Sequence, residues 1–229
     1  MRKPSHPLLQ IVVKFVFRGY PDQVVTQLGP GQIIPLRPFT SVELYEGDRR
    51  LLATMLGDLR TLLDEAAAGE REVLPDERVA WKDDGLRRRT ILCNPSALMP
   101  EAGLCAVGFF SERHPDVNIG PLERANDEIV REFKKYPGVL SYSSYELPAS
   151  NWANLVLHDE PDVAERWRGG QVHARAVENL SPLHYRNVRI HNCRLPDGLA
   201  GEILIERTKY FDYEAGDVWR AVRELPTTS

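Results

Sequence analysis

Residues 139–158 read VLSYSSYELPASNWANLVLH. Val139–Glu146 and Asn151–His158 alternate and are rich in aromatic and β-branched residues, which predicts two strands. Pro148–Ser150 leaves room only for a turn between them. Successive strand side chains point to opposite faces. One face of 152–158 therefore carries Ala153, Leu155 and Leu157, and the other carries Trp152, Asn154, Val156 and His158. The aliphatic face is expected under helices, and the mixed face is expected to line whatever the sheet encloses. In 139–146, Ser141, Ser143 and Tyr145 oppose Tyr142, Ser144 and Glu146, so both faces carry hydroxyls.

Outward from this pair the pattern continues. Leu104–Ser111 (LCAVGFFS) reads as a strand. Leu122, Ala125, Ile129, Val130 and Phe133 recur at helical spacing and stop at Tyr136-Pro137-Gly138. Asp159 to Asp162 opens a second helix with Pro161 in its first turn. Gly169-Gly170 interrupts it before it resumes to about Leu180. Asn187–Cys193 and Ile203–Tyr210 are two more strands, with a turn around Pro196-Asp197-Gly198. The order is β-α-β-β-α-β plus one strand, the ferredoxin-like pattern of an α+β protein. One face of such a sheet holds both helices, and the other must also be covered. The expected cover is a second sheet, supplied by a partner in a homodimer or by residues 8–94 of the same chain.

The first hundred residues are less regular. Leu8–Phe17 reads as a strand, residues 19–38 as a breaker-rich loop, and Phe39–Tyr45 as a second strand. Asp48 is placed to cap a helix whose Leu51, Leu52, Met55, Leu56, Leu59, Leu62 and Leu63 share a face through about Ala68. Residues 69–88 are polar and charged. Arg89–Asn94 is a short strand before a linker at Pro95–Gly103. The expected organisation is an N-terminal α+β extension over 1–100, a ferredoxin-like domain over 101–214 and a tail over 215–229.

Charge and composition exclude several classes. Lys plus Arg number 29 against 33 Asp plus Glu, so this chain of 229 residues carries a net charge of −4. It lacks the basic excess of a nucleic-acid binder, and its densest basic run is Arg87-Arg88-Arg89. No apolar run approaches the ~20 residues of a membrane helix. Leu8–Phe17 alternates and carries Lys14, unlike a signal peptide. Cys93, Cys105 and Cys193 are odd in number and widely spaced, without the arrangement of a disulfide framework or zinc site. A cytoplasmic protein is expected, with no nucleic-acid or membrane partner. There is no G-x-G-x-x-G, Walker A, H-E-x-x-H or G-x-S-x-G motif.

Residues 104–193 resemble the dimeric α/β-barrel superfamily. The features that look alike are the helix 121–136 with its stop at Tyr136-Pro137-Gly138-Val139, the strand end Leu157-His158 with Pro161 after it, and Glu165-Arg166-Trp167 followed by His173. That superfamily includes antibiotic-biosynthesis-type monooxygenases and haem-binding branches: IsdG-type, chlorite-dismutase-like and aldoxime-dehydratase-like. The resemblance implies a barrel pocket, monooxygenase or lyase chemistry on a small, partly apolar metabolite, and a dimer. It also implies that His173 would be the axial ligand if haem b is bound. Gly169-Gly170 departs from the family's turn there. Otherwise no cofactor is implied.

The residues themselves offer these candidates. His173 shares a helix face with Ala176, Val177 and Leu180, so its ring points inward. An inward imidazole serves as a base, a metal ligand or a hydrogen-bonded core group. His158 and Asn154 lie on the mixed strand face beside Trp152. Tyr142, Tyr145 or Asn154 could hold a developing oxyanion, with His158 or His173 as base. Arg189 and His191 alternate onto one face of strand 187–193 and could hold an anionic substrate group. A non-catalytic ligand-binding or dimerisation module is the alternative to an enzyme.

Overall fold

The computed structural model describes residues 24–98, 103–214 and 216–225. The strand expected at 8–17 lies outside them. One mixed sheet of nine strands runs through the molecule in the order β1-β9-β8-β7-β4-β6-β5-β3-β2. The strands are β1 Val25–Leu28, β2 Glu77–Asp83, β3 Leu86–Leu92, β4 Leu104–Arg113, β5 Val139–Leu147, β6 Asn151–His158, β7 Tyr185–Leu195, β8 Leu204–Asp212 and β9 Trp219–Glu224. β1 runs parallel to β9, and every other neighbouring pair is antiparallel. The helices are α1 Val42–Ala67, α2 Pro95–Leu98, α3 Gly120–Glu132, α4 Pro161–Arg168, α5 Gln171–Asn179 and α6 Ser181–His184.

This corrects the expected fold. The small ferredoxin-like α/β-barrel is not formed. The sheet runs through all three of the segments that the sequence reading separated, and its two faces are covered by helices. α1 packs on one face, where Leu52, Met55, Leu56, Leu59 and Leu63 meet Ala106, Phe110, Ala153, Leu155 and Leu157. α3 to α5 pack on the other, where Phe133, Val163 and Trp167 meet Ile91, Tyr142 and Val156. The N-terminal region thus supplies a covering helix and edge strands, not a second sheet. The helices that follow β4 and β6 lie on the mixed face of β6, and the aliphatic face lies under α1. With both faces covered from within the chain, the reason for expecting a homodimer is removed.

Three local readings also change. Residues 39–45 are no strand. Ser41 caps α1 by accepting from the Leu44 amide at 3.3 Å, so the helix begins six residues before Asp48. Residues 77–92 form a hairpin whose turn residues Asp84 and Gly85 both have positive φ, 49° and 81°. The short strand read at 89–94 is the second half of β3, which begins at Leu86, while β2 went unread because this edge strand carries charged residues, which discourage further pairing. Residues 219–224 are a strand and not a tail. Arg223 of β9, 1% exposed, donates to the Thr40 carbonyl at 2.9 Å and the Gly29 carbonyl at 3.2 Å, fastening the breaker-rich loop.

The register places one row of residues across the α1 face: Thr90, Ser143, Leu155, Gly108, His191, Thr208 and Arg223. Gly108 is needed there. A Cβ would sit 2.9 Å from both Leu52 methyls and 3.5 Å from the His191 Cβ, in a fully packed core. Gly108→Ala is therefore expected to cost about 1–3 kcal/mol by overpacking. Urea unfolding would show a lower midpoint with an unchanged slope, and an unchanged midpoint would contradict the packing described.

Among the described residues, no helix is long and apolar enough to cross a membrane.

Candidate functional site

The α3–α6 face carries the cavities. Along this face the register aligns Arg89, Ser144, Asn154, Phe109 and Ile190 in one row and Ile91, Tyr142, Val156 and Val107 in the next. Where α3 leaves the sheet toward the β2–β3 hairpin, a cleft of about 590 Å³ opens. Its walls include Arg78, Lys82, Arg87, Arg89, Arg113, Trp152, Asn154 and Tyr185. Beneath α3 and α5 lies a smaller chamber of about 150 Å³, walled largely by Val107, Phe109, Ile129, Phe133, Val156, Ala176, Val177 and Ile190. The two cavities share Leu122, Asn126, Asn154 and Tyr185. The outer volume is in the ordinary range for small-molecule sites, roughly 300–1,000 Å³. An apolar void of about 150 Å³ takes a single benzene-sized ring.

Polar groups gather where the two cavities meet. The Tyr142 hydroxyl lies 2.7 Å from Asn126 Oδ1 and 3.0 Å from Asn154 Oδ1. A phenol has one proton, so one amide accepts it and the other turns its NH2 to the phenol oxygen. Tyr142 is buried, and its ring meets Phe133 at a centroid distance of 5.7 Å.

His173 also lines the inner chamber, together with Ala176, Val177 and Leu180 of its helix face. Its Nδ1 lies 3.0 Å from the Arg168 carbonyl oxygen. A carbonyl only accepts, so Nδ1 carries the proton and Nε2 is left with a lone pair. Burial drives its pKa down to about 4, opposed by that hydrogen bond and reinforced by the Arg168 cation, and the ring is neutral at pH 7. Trp167 stands edge-on to it at 4.9 Å.

A haem ligand would also want its Nδ1 proton held in this way. The space beside His173 nevertheless matches one six-membered ring, and Tyr142, Tyr185 and Ile190 wall it in. The residues do not fit a porphyrin. Among the described residues, no group of three or more His, Cys, Asp or Glu side chains is arranged to hold a metal ion.

Of the sequence candidates, the structure brings Tyr142, Asn154, Trp152 and His173 to the two neighbouring cavities. It takes the other four elsewhere. Tyr145 faces α1 and donates to Asp58 beneath the Arg88 guanidinium, 4.7 Å from its ring. His158 is completely buried at the end of β6, and neither ring nitrogen has a partner at hydrogen-bonding geometry among the described residues. Burial and the Arg168 cation lower its pKa to about 3, while the Cys105 backbone offsets a little of this without forming a proper hydrogen bond. His158 lines neither cavity and cannot serve as their base.

Arg189 and His191 belong to a buried network under α1. Arg189 clasps Asp48 through Nε–Oδ2 at 2.6 Å and Nη2–Oδ1 at 2.9 Å. His191 Nε2 donates to Asp48 Oδ2 at 3.0 Å, which leaves Nδ1 to accept from the Thr208 hydroxyl at 2.8 Å. Asp48, Arg189, His191 and Thr208 are all buried, so this network holds a helix to the sheet and receives no substrate.

Asn126, Arg89 and Arg113 were missed by sequence reasoning. The signal for Arg89 was present: a period of two through Arg87-Arg88-Arg89 puts Arg87 and Arg89 on one face and Arg88 on the other. Asn126 sits one position from the apolar stripe of α3, where its neighbour across the gap is set by packing alone. An apolar chamber, a polar junction and a cationic cleft thus lie side by side on one face of a nine-stranded mixed sheet. Comparison of the chain with protein-family models, curated proteins and solved structures gave no match in any of the three.

Proposed function

We propose that the protein binds a small, partly apolar molecule across these two cavities and acts on it as an enzyme of the lyase or monooxygenase kind. The observation that carries this reading is the junction. Tyr142, braced by Asn126 and Asn154, stands where a ring-sized apolar chamber meets a polar cleft. A ring seated in the chamber would bring an oxygen substituent to the phenol. There the phenol's proton turns from the accepting amide oxygen to the ligand oxygen, while the other amide's NH2 still holds the phenol oxygen, and the donor stabilises negative charge as it develops. His173 Nε2 is the lone-pair nitrogen on the same wall. Its low pKa makes it a weak base, suited to an already acidified proton. That weakness favours, as a second reading, a protein that binds without turnover.

Cyclohexanone and toluene serve as probes. Tyr142→Phe is expected to weaken cyclohexanone binding several-fold, up to about tenfold for one neutral hydrogen bond, and to leave toluene binding unchanged by NMR titration. In D2O the native protein is expected to speed deuterium entry beside the ketone carbonyl, and Tyr142→Phe is expected to lose that effect. Binding without exchange would select the second reading. Failure of both probes to bind would overturn both readings.

A further inference from the structure

We infer that the ligand carries an anionic group, carboxylate or phosphate, seated in the outer cleft by Arg113 with Arg89. The inference rests on the two-cavity reading above and names the substrate class for it.

The chain as a whole is acidic, at −4, yet the cleft wall is cationic. Alternation along the β2–β3 hairpin turns Arg78, Lys82, Arg87 and Arg89 to this side, and Arg113 joins them from the end of β4. Acids neutralise only part of that charge. Arg87 is held by Glu146 at 2.9 Å and Glu123 at 3.4 Å. Arg78 and Arg89 share one carboxylate oxygen of Asp127, each at a loose 3.7 Å. Among the described residues, no acid pairs with Arg113 or Lys82.

The second observation concerns donors. Nε of Arg113 and Nε of Arg89 are both buried without a hydrogen-bond partner among the described residues. A guanidinium cannot shed its charge, and a buried unmet donor is costly. Both residues line the cleft, so a small turn of either guanidinium would bring its unmet donor to an acceptor arriving from outside the chain. A carboxylate or phosphate matches the guanidinium fork with two parallel hydrogen bonds. The cleft and the apolar chamber share Asn154 and Tyr185 as walls, so the two lie side by side. The matching ligand is therefore an amphipath: a ring within and an anion at the mouth.

A matched set of probes tests this by calorimetry at low salt: 3-phenylpropanoate, 3-phenylpropan-1-ol, phenyl phosphate and inorganic phosphate. The acid is expected to bind at least tenfold more tightly than the alcohol, with the advantage shrinking as salt is added. Arg113→Met keeps the aliphatic stem and is expected to remove most of that advantage. Unchanged affinity for the alcohol would certify that the variant is folded and its chamber intact. Phenyl phosphate outdoing the acid would support the inference and assign the anion as a phosphate ester. Equal binding of acid and alcohol, or an acid advantage that survives in Arg113→Met, would overturn it. If no phenyl compound binds but inorganic phosphate does, and Arg113→Met abolishes this, the anion seat stands and the chamber reading falls. If nothing binds, both fall.

Discussion

Asp48→Ala is expected to destabilise the protein by about 3–5 kcal/mol, the cost of stranding a buried charge when its partner is removed. Arg189 would keep its cation at 6% exposure with no carboxylate in contact. Glu112 is a poor substitute, since it stands 3.7 Å away and already accepts from Asn187 at 2.8 Å. His191 would lose its acceptor as well. The loss is a large part of a typical total stability of roughly 5–15 kcal/mol. Replacing both charges, as Asp48→Leu with Arg189→Met, is expected to recover most of it, because a well-packed apolar pair avoids the desolvation of two ions. Burial works against the charge on Asp48, but the hydrogen bonds from His191 and Arg189 outweigh it, and the carboxyl is held below its ordinary value. Its contribution is therefore complete above the unfolded carboxylate pKa of about 3.9 and drains away only as pH falls through the lower folded value. The cost of Asp48→Ala should then be the same at pH 7 and pH 5. A cost under about 1 kcal/mol by urea unfolding would show that this ion pair does no more than an exposed one.

The histidines act in a different pH window. His158 and His173 have folded pKa values of about 3 and about 4, against an ordinary 6.5. Below about pH 6.5 the unfolded chain takes up protons that the folded chain refuses, so stability falls as the solution is acidified. At pH 5 each accounts for a loss on the order of 2 kcal/mol relative to neutral pH, with His173 somewhat less because it keeps some surface. The drop should be visible by urea unfolding at pH 5 and pH 7. His191 is buried as well and its pKa is also lowered, so it adds to the drop, and His158→Leu is expected to remove only its own share, about 2 kcal/mol. The same substitution should be neutral or stabilising at pH 7, since both ring nitrogens are buried without a partner, and an unmet buried polar group costs about 1–3 kcal/mol. Equal stability of the native protein at the two pH values would refute the account, as would an undiminished drop in His158→Leu.

These two networks show where sequence reading stops. Asp48 looks like a helix cap because an acid before a leucine-rich stretch has that local chemistry. Its real partners are 141 and 143 residues away, on a strand five places from the edge strand β2. Tyr142 and Tyr145 were equal candidates because the strand carries hydroxyls on both faces. Which face receives α1 and which receives α3 is a matter of packing, and it separated them. His173 was readable as inward because four residues of one helix face repeat at 3.6-residue spacing. Its low basicity was not readable, since that comes from the burial supplied by neighbouring elements.

The sequence alone determined the local elements of 104–213, the inward stripe of α5, the opposed faces of β5 and β6, and the overall acidity. These follow from backbone periodicity and side-chain chemistry within a few residues. Tertiary structure alone decided the strand order, the parallel pairing of β1 with β9, the helix that covers each face, and the meeting of Asn126, Tyr142 and Asn154 above a hollow. Those depend on contacts between segments far apart in the chain. Such contacts reward the chain only after the entropy of closing the loops between them has been overcome, and no short window of residues reports which closure wins.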